Sequence, residues 1–292
     1  MKRLNSDSDV EQEPTKSATK LETKRPQRNK SAESTTQPLS QPPPQSNAET
    51  HHNNPIEIIK PKLVKWVPGT ADESAENTVL SWTEDLIPKT LKKYWRHRHS
   101  LFTRFDEGVK MDEEAWYSVT PEKVAKHIAA RCTGKTVIDA FCGAGGNSIQ
   151  FALAGYKVIA VDIDPVKLAC THHNAKLYGA LGNIEFIHGD FMKVATQLKG
   201  DVVFLSPPWG GPDYLKEDTF DIKTMMPIDG EALFNEASKI TKNIIYYMPK
   251  SSDQDQLTNL AGPGNVCEHE EVYLNDRAKV LVTYYGDLVA KQ

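Results

Sequence analysis

Two hydrophobic rhythms alternate along the second half of the chain. Short runs in which nearly every position is apolar predict strands buried on both faces over Thr136–Phe141, Lys157–Asp162, Ile184–His188, Asp201–Leu205 and Asn243–Met248. Between them, apolar residues recurring every three or four positions predict helices. One runs from Asn147 to Ala154 and stops at Gly155; another follows Asp164-Pro165 and stops at Gly179. An Asp cap, a first-turn Pro and a terminal Gly are the punctuation such helices need. Upstream, Thr120 is expected to cap a helix that opens with Pro121 and Glu122 and buries Val124 and Ile128. The last runs, Glu271 to Leu274 and Lys279 to Tyr285, are separated only by Asn275-Asp276-Arg277-Ala278, which is hairpin spacing. Alternating strands and helices predict an α/β fold: a mostly parallel sheet covered by helices and closed by an antiparallel hairpin. No internal repeat interrupts this plan.

The first part of the chain has neither rhythm. Through about Thr50 it is mostly Ser, Thr, Gln, Pro, Lys and Glu, with Val10 and a few Leu among its sparse aliphatics and no aromatic residue, too little apolar surface to offset chain entropy, so 1–54 is expected to be a disordered tail. Within it, Gln37 to Gln45 reads as extended, and Lys24-Arg25-Pro26-Gln27-Arg28-Asn29-Lys30 reads either as a nuclear address or as solvated tail. No stretch is long and apolar enough for a membrane helix and the polar start is not a signal peptide, so a soluble intracellular protein without membrane partners is expected. Four scattered cysteines (Cys132, Cys142, Cys170, Cys267) argue for reduced thiols rather than disulfides or zinc. The formal charge of -4 excludes a generally basic nucleic-acid binder and requires any such contact to be local. Lys89 to Lys110 is the place where basic and aromatic residues interleave, as phosphate attraction with stacking requires. The same residues also read as an amphipathic helix whose aromatics enter the core, and both readings can hold on opposite faces.

Strand one runs into Asp139-Ala140-Phe141-Cys142-Gly143-Ala144-Gly145-Gly146-Asn147, a Gly-rich turn where Gly143 lets backbone approach a ligand. Asp162 ends strand two, where an acid accepts hydrogen bonds from ribose hydroxyls. A nicotinamide site would share both features. The third glycine of that fingerprint is Ser148 here, however, and Asp139 would repel a pyrophosphate while suiting an ammonium group. Asp190 falls where an adenine amino group needs an acceptor, or else caps a helix starting at Phe191. At the end of strand four stands Ser206-Pro207-Pro208-Trp209-Gly210-Gly211-Pro212. Two prolines give up backbone donors and a Trp ends a buried strand, so something is expected to stack there. The pattern resembles the Asp/Asn/Ser-Pro-Pro-aromatic motif of methyltransferases acting on exocyclic amines. Such an amine is a weak nucleophile, and the enzyme gains most by orienting it. His172-His173, His188, Cys142 and the Cys267/His269 pair show no metal-ligand spacing, and no metal is expected.

Taken together, Ser206 to Tyr214 (SPPWGGPDY), Asp139 to Asn147, Asp162 to Lys167 (DIDPVK), and Phe102 to Gly108 with Ser118 to Glu122 resemble the trimethylguanosine synthase family, from about Lys92 to Leu288. The resemblance implies a class I, Rossmann-like methyltransferase fold with a seven-stranded sheet over 118–292, and a small, mostly helical lid over 55–117. It implies S-adenosylmethionine as cofactor and conversion of the 7-methylguanosine cap of small nuclear and nucleolar RNAs to 2,2,7-trimethylguanosine. Ribonucleoprotein proteins become expected partners; the nucleus, in its nucleolus or Cajal bodies, with the cytoplasm besides, becomes the expected location. Phe102, Ser118, Thr120, Asp139, Gly143, Asp162, Asp190 and Pro208 are then expected around the cofactor, and Trp209, Asn174 and Ser206 around the guanine. Lys250 stands where the family commonly has an arginine facing the cap phosphates; it keeps the charge and lacks the planar fork. Ser206, Pro207, Pro208 and Trp209 form the expected catalytic turn, working by direct methyl transfer without a covalent enzyme intermediate. The alternatives are an amino methyltransferase for adenine N6 or glutamine and an inactive scaffold on ribonucleoproteins.

Overall fold

A computed structural model describes residues 63–68, 81–274 and 277–290. The tail expected over 1–54, with its basic run, lies outside the described residues. Among the described residues, seven strands form one sheet in the order β3-β2-β1-β4-β5-β7-β6. They are β1 (Thr136–Asp139), β2 (Lys157–Asp162), β3 (Ile184–His188), β4 (Val202–Leu205), β5 (Ile244–Pro249), β6 (Cys267–Leu274) and β7 (Arg277–Tyr285). The first five are parallel and β7 runs antiparallel to both β5 and β6. The strands read from sequence are all present, with ends moved by one or two residues. The hairpin differs more, because β6 starts at Cys267 and not at Glu271. Glu268 and Glu270 hide its strand character. Glu270 is nevertheless buried, its carboxylate held by the Tyr284 hydroxyl (2.8 Å) and His127 Nε2 (2.8 Å).

Helices α5 (Gly146–Leu153), α6 (Pro165–Tyr178) and α7 (Phe191–Val194) follow the first three strands. The Asp164 carboxylate accepts from the Val166 amide and Gly179 ends α6 in the left-handed region, as the sequence predicts. Helices α8 (Gly230–Ser238) and α9 (Gln254–Leu260) start at Asp229 and Asp253, each accepting two backbone amides. One expectation fails at α4 (Glu122–Arg131), whose cap position is Pro121. Thr120 does not cap it; its hydroxyl instead accepts from Asn147 Nδ2 at 2.8 Å, tying the start of α4 to the Gly-rich turn.

The N-terminal lobe contains α1 (Lys92–Trp95), α2 (Arg98–Leu101) and α3 (Ala115–Ser118). Its buried Leu91, Phe102, Phe105 and Trp116 belong to the same apolar cluster as Val124, Ile149 and Leu168 beneath the sheet. Polar anchors reinforce the join. The Glu122 carboxylate, 3% exposed, accepts from Thr103 N (2.7 Å), the Thr103 hydroxyl, the Tyr178 hydroxyl (2.8 Å) and Lys126. Burial pushes its pKa up, but these hydrogen bonds outweigh it and hold the group below the ordinary carboxylate range. Residues 63–68 do something the sequence does not announce. Trp66 N donates to Phe186 O (2.9 Å) and His188 N to Val64 O (3.1 Å), so this segment pairs antiparallel with the outer edge of β3.

Candidate active site

Parallel strands bring their carboxyl ends to one edge of a sheet. The Gly-rich turn after β1, Asp162 at the end of β2, Asp190 after β3 and Ser206 to Trp209 after β4 therefore converge. They do so where the strand order reverses between β1 and β4, the place such sheets bind ligands. A cavity of about 580 Å³ opens there, within the range of small-molecule sites. Its wall includes Ser118, Thr120, Gly143, Asp162, Asp190, Ser206, Pro207, Pro208 and Trp209, all nine named from sequence. The lobe adds Tyr94, Glu114 and Tyr117.

Asp162 is buried, accepting from Gly143 N (2.9 Å) through Oδ2 and from Asp164 N (3.0 Å) through Oδ1. Burial raises its pKa and these amides pull it partly back. Asp190 caps α7 by accepting from Met192 N (3.0 Å), as one of its two readings requires, and it also lines the cavity. Asp139 lies just behind the wall. Its Oδ2 accepts from the Ser148 hydroxyl at 2.6 Å, and burial pushes its pKa up to about 7, with Ser148 and the Phe141 amide drawing it back. Ser148, which breaks the dinucleotide fingerprint, is thus the partner of the acid. Burial likewise lifts the Cys142 thiol well above its ordinary value, which fits the absence of any assigned role.

Trp209 is fixed from two directions. Tyr247 stacks on it with centroids 5.6 Å apart and planes 20° from parallel, and Tyr214 meets it edge-on at 5.3 Å and 87°. Ser206 makes one long contact, from its hydroxyl to Phe141 O at 3.4 Å across the β1/β4 divide. Tyr247 escaped the sequence reading because a Tyr inside an apolar strand reads as core. The register Leu205↔Tyr246 is what places it beside Ser206.

Besides Asp139, three expected contacts do not reach the wall. Phe102, expected on the cofactor, is 1% exposed and packs edge-on against Tyr178 at 6.2 Å. Asn174, expected on the guanine, is fully buried; its amide accepts from Lys110 N (2.8 Å) and donates to Lys110 O (2.8 Å) and Ala144 O (2.9 Å). It clamps the lobe to the Gly-rich turn. Lys250 is exposed in the turn after β5, at the same sheet edge and outside the wall.

The family profile of RNA cap guanine-N2 methyltransferases matches residues 134–288, more than half of the chain. The chain belongs to this family. Two fungal relatives, both called trimethylguanosine synthase, extend the likeness into the lobe. That of Schizosaccharomyces pombe is 38% identical over 215 residues, 68% of this chain and 87% of its own length. That of Saccharomyces cerevisiae is 34% identical over 213 residues, 68% of each chain. A putative methyltransferase from Porphyromonas gingivalis shares the fold, with a TM-score of 0.53 at 14% identity over 74% of this chain and 55% of that one. The protein is thus an S-adenosylmethionine-dependent RNA cap guanosine-N2 methyltransferase with capped RNA as its substrate class.

The cavity suits that donor. Of six buried side-chain polar atoms without a hydrogen-bond partner among the described residues, two belong to lining residues, Asn147 Oδ1 and Trp209 Nε1, and a third, Asp139 Oδ1, belongs to the acid behind the wall. Buried polar groups are rarely left so, and an acceptor and a donor on the wall of one cavity are what a polar ligand would satisfy. Among the described residues no group of three or more His, Cys, Asp or Glu could hold a metal ion, and no helix is long and apolar enough to cross a membrane.

Proposed function

We propose that this methyltransferase converts the 7-methylguanosine cap to 2,2,7-trimethylguanosine by two successive methylations of N2. The observation that carries the reading is Trp209, a cavity-wall indole held by Tyr247 stacked at 20° and by Tyr214 at 87°, beside the turn of Ser206 to Pro208. A ring fixed in this way sets the plane of a base stacked on it. Methylation at N7 makes guanine a delocalised cation, and a cation over an indole gains roughly 0.5–2 kcal/mol. Pro207 and Pro208 have no N–H, so the backbone of these two residues offers carbonyls alone. The Ser206 hydroxyl hydrogen points to Phe141 O, leaving its oxygen to accept an N–H of the amine. A singly methylated amine keeps one N–H, so the same acceptors can orient the second round.

Around the donor, Asp162 would hold the ribose hydroxyls, Asp190 the adenine amino group and Asp139 Oδ1 the ammonium, with Ser118, Thr120, Gly143 and Pro208 completing the wall. S-adenosylmethionine, when bound, supplies a sulfonium methyl that the amine nitrogen takes by direct displacement. No side chain need act as a strong base, because the nitrogen becomes positive on attack and releases its proton to solvent. The family likeness supports small nuclear and nucleolar RNAs as substrates, ribonucleoprotein proteins as partners, and the nucleus as the site of action, in its nucleolus or Cajal bodies. Lys250, at the same sheet edge, remains the candidate for the cap phosphates.

The test is mass-spectrometric counting of methyl groups on 7-methylguanosine and unmethylated guanosine cap dinucleotides at matched concentration. The unmutated protein should add two methyls to the first and leave the second nearly untouched. Trp209→Ala should abolish activity, and Trp209→Phe should retain some with less preference for the cationic cap. Comparable rates on both caps would overturn the cation-stacking account and favour an adenine or glutamine substrate.

A further inference from the structure

We propose that the exposed basic face of residues 89–96 binds the RNA chain downstream of the cap; this rests on capped RNA being the substrate. The backbone is helical throughout. A single tight turn, Lys89–Leu91, leads into α1, and Leu91, Lys92 and Arg96 all have right-handed helical angles. Lys89, Lys92, Lys93 and Arg96 are spaced i, i+3, i+4 and i+7, which places them on one face, and all four are exposed. The other face is anchored. Leu91 is buried, and Trp95 packs on Phe105 (5.5 Å) and Trp116 (5.8 Å).

The structure sorts the cations of this segment into two groups. Arg98 pairs with Asp106 and lies over the Trp95 ring at 4.5 Å, while Arg104 pairs with Glu107 and donates to Leu177 O at 2.6 Å. These hold the lobe together. None of Lys89, Lys92, Lys93 and Arg96 is in an ion pair among the described residues. Glu84 and Asp85, exposed in the preceding turn, are the acids nearest in sequence. Four unpaired cations on one rigid face make a local positive field in a chain whose formal charge is -4. Tyr94 joins that face to the cavity, since it lines the wall and the Lys93 ammonium lies 4.7 Å from its ring. A polyanion leaving the cavity on this side would pass directly over the basic face. Single-stranded RNA carries a phosphate at every nucleotide, the repeating charge such a face can follow.

The test replaces Lys89→Gln, Lys92→Gln and Arg96→Gln together and keeps Lys93, which touches a cavity residue. Binding of a 7-methylguanosine-capped oligonucleotide of about 15 nucleotides is followed by fluorescence anisotropy over a range of salt, beside turnover on the cap dinucleotide. Each phosphate contact contributes about 0.7 to the slope of log affinity against log salt, so the variant's slope should fall by about 2. Its affinity at low salt should drop on the order of tenfold, while dinucleotide turnover changes less than about twofold. Unchanged affinity and slope, or an equal loss on the dinucleotide, overturns the proposal. If the unmutated protein methylates neither capped substrate, the activity reading fails, and the salt-dependent binding still decides the surface. Binding of a poly-glutamate peptide in preference to RNA, lost in the variant, would assign the face to an acidic protein and also overturn it.

Discussion

Asp139 holds a buried carboxyl whose second oxygen has no partner, and burial has lifted its pKa to about 7. In the folded protein it therefore keeps its proton between about pH 4 and 7, where an ordinary aspartate has lost it. Folding then binds more protons than unfolding, so this group costs stability as pH rises through that window, by at most about 1.4 kcal/mol per unit. A ligand ammonium at Oδ1 reverses the preference, since it favours the ionised form. Donor binding should release a proton below about pH 7, with affinity rising up to about tenfold per pH unit and levelling off above. Titration calorimetry in buffers of different ionisation heat measures this, and Asp139→Asn should flatten the profile. A pH-independent affinity in the unmutated protein would remove Asp139 from the donor site. The acids at the strand ends were legible because parallel strands deliver their last residues to one edge. Phe102 and Asn174 lie off the cavity wall for an equally physical reason. A motif fixes which residue stands at a position but not where its bonds go, and the amide of Asn174 goes to Lys110 and Ala144.

Elements follow the same division. Strands buried on both faces announce themselves as apolar runs, and α6 announces itself through its Asp, Pro and Gly, because each signal is local. The first half of β6 is silent, since the burial of Glu270 is made tolerable by His127 on α4 and Tyr284 on β7, both distant in sequence. The pairing of 63–68 with β3 is silent too, for a run of six residues, Leu63 to Pro68, is too short to carry a readable period. Trp66 shows why that pairing persists: it is 7% exposed and meets Phe186 at 5.9 Å and His172 at 5.7 Å, edge-on to both. Covering the β3 edge also hides unpaired backbone groups from other chains. Trp66→Ala should cost about 3 kcal/mol in urea unfolding, whereas removing residues 1–54 should leave stability and dinucleotide turnover as they are. A loss under about 0.5 kcal/mol for Trp66→Ala would show that the edge pairing adds nothing to the fold.

At the scale of the whole molecule, the sequence divides at about residue 118, and the packing does not. The lobe's Phe102, Phe105 and Trp116 share one apolar cluster with α4, α5 and α6. Only the three residues between Ser118 and Glu122 separate α3 from α4. Glu122 reaches Thr103 and Tyr178, Asn174 reaches Lys110 and Ala144, and Lys167 pairs with Glu114 at 2.7 Å. The cavity needs both parts, because Tyr94, Glu114 and Tyr117 come from the lobe. Buried apolar contact backed by satisfied polar anchors couples the two free energies, so neither part should open alone. The five tryptophans allow this to be measured, since four (Trp66, Trp82, Trp95, Trp116) precede residue 118 and one, Trp209, lies in the site. In a Trp209→Phe variant, tryptophan fluorescence reports the N-terminal part, while far-UV circular dichroism is dominated by the sheet and the helices that cover it. The two urea transitions should coincide, and bound S-adenosylhomocysteine should shift both to higher urea by the same amount. Glu122→Gln keeps the shape and removes the charge from a buried, fully hydrogen-bonded site. It should lower both midpoints together, by about 1–3 kcal/mol of stability. A fluorescence transition that precedes the dichroism transition, with only the later one shifted by ligand, would mean that the lobe unfolds independently and that the cavity is completed only on binding.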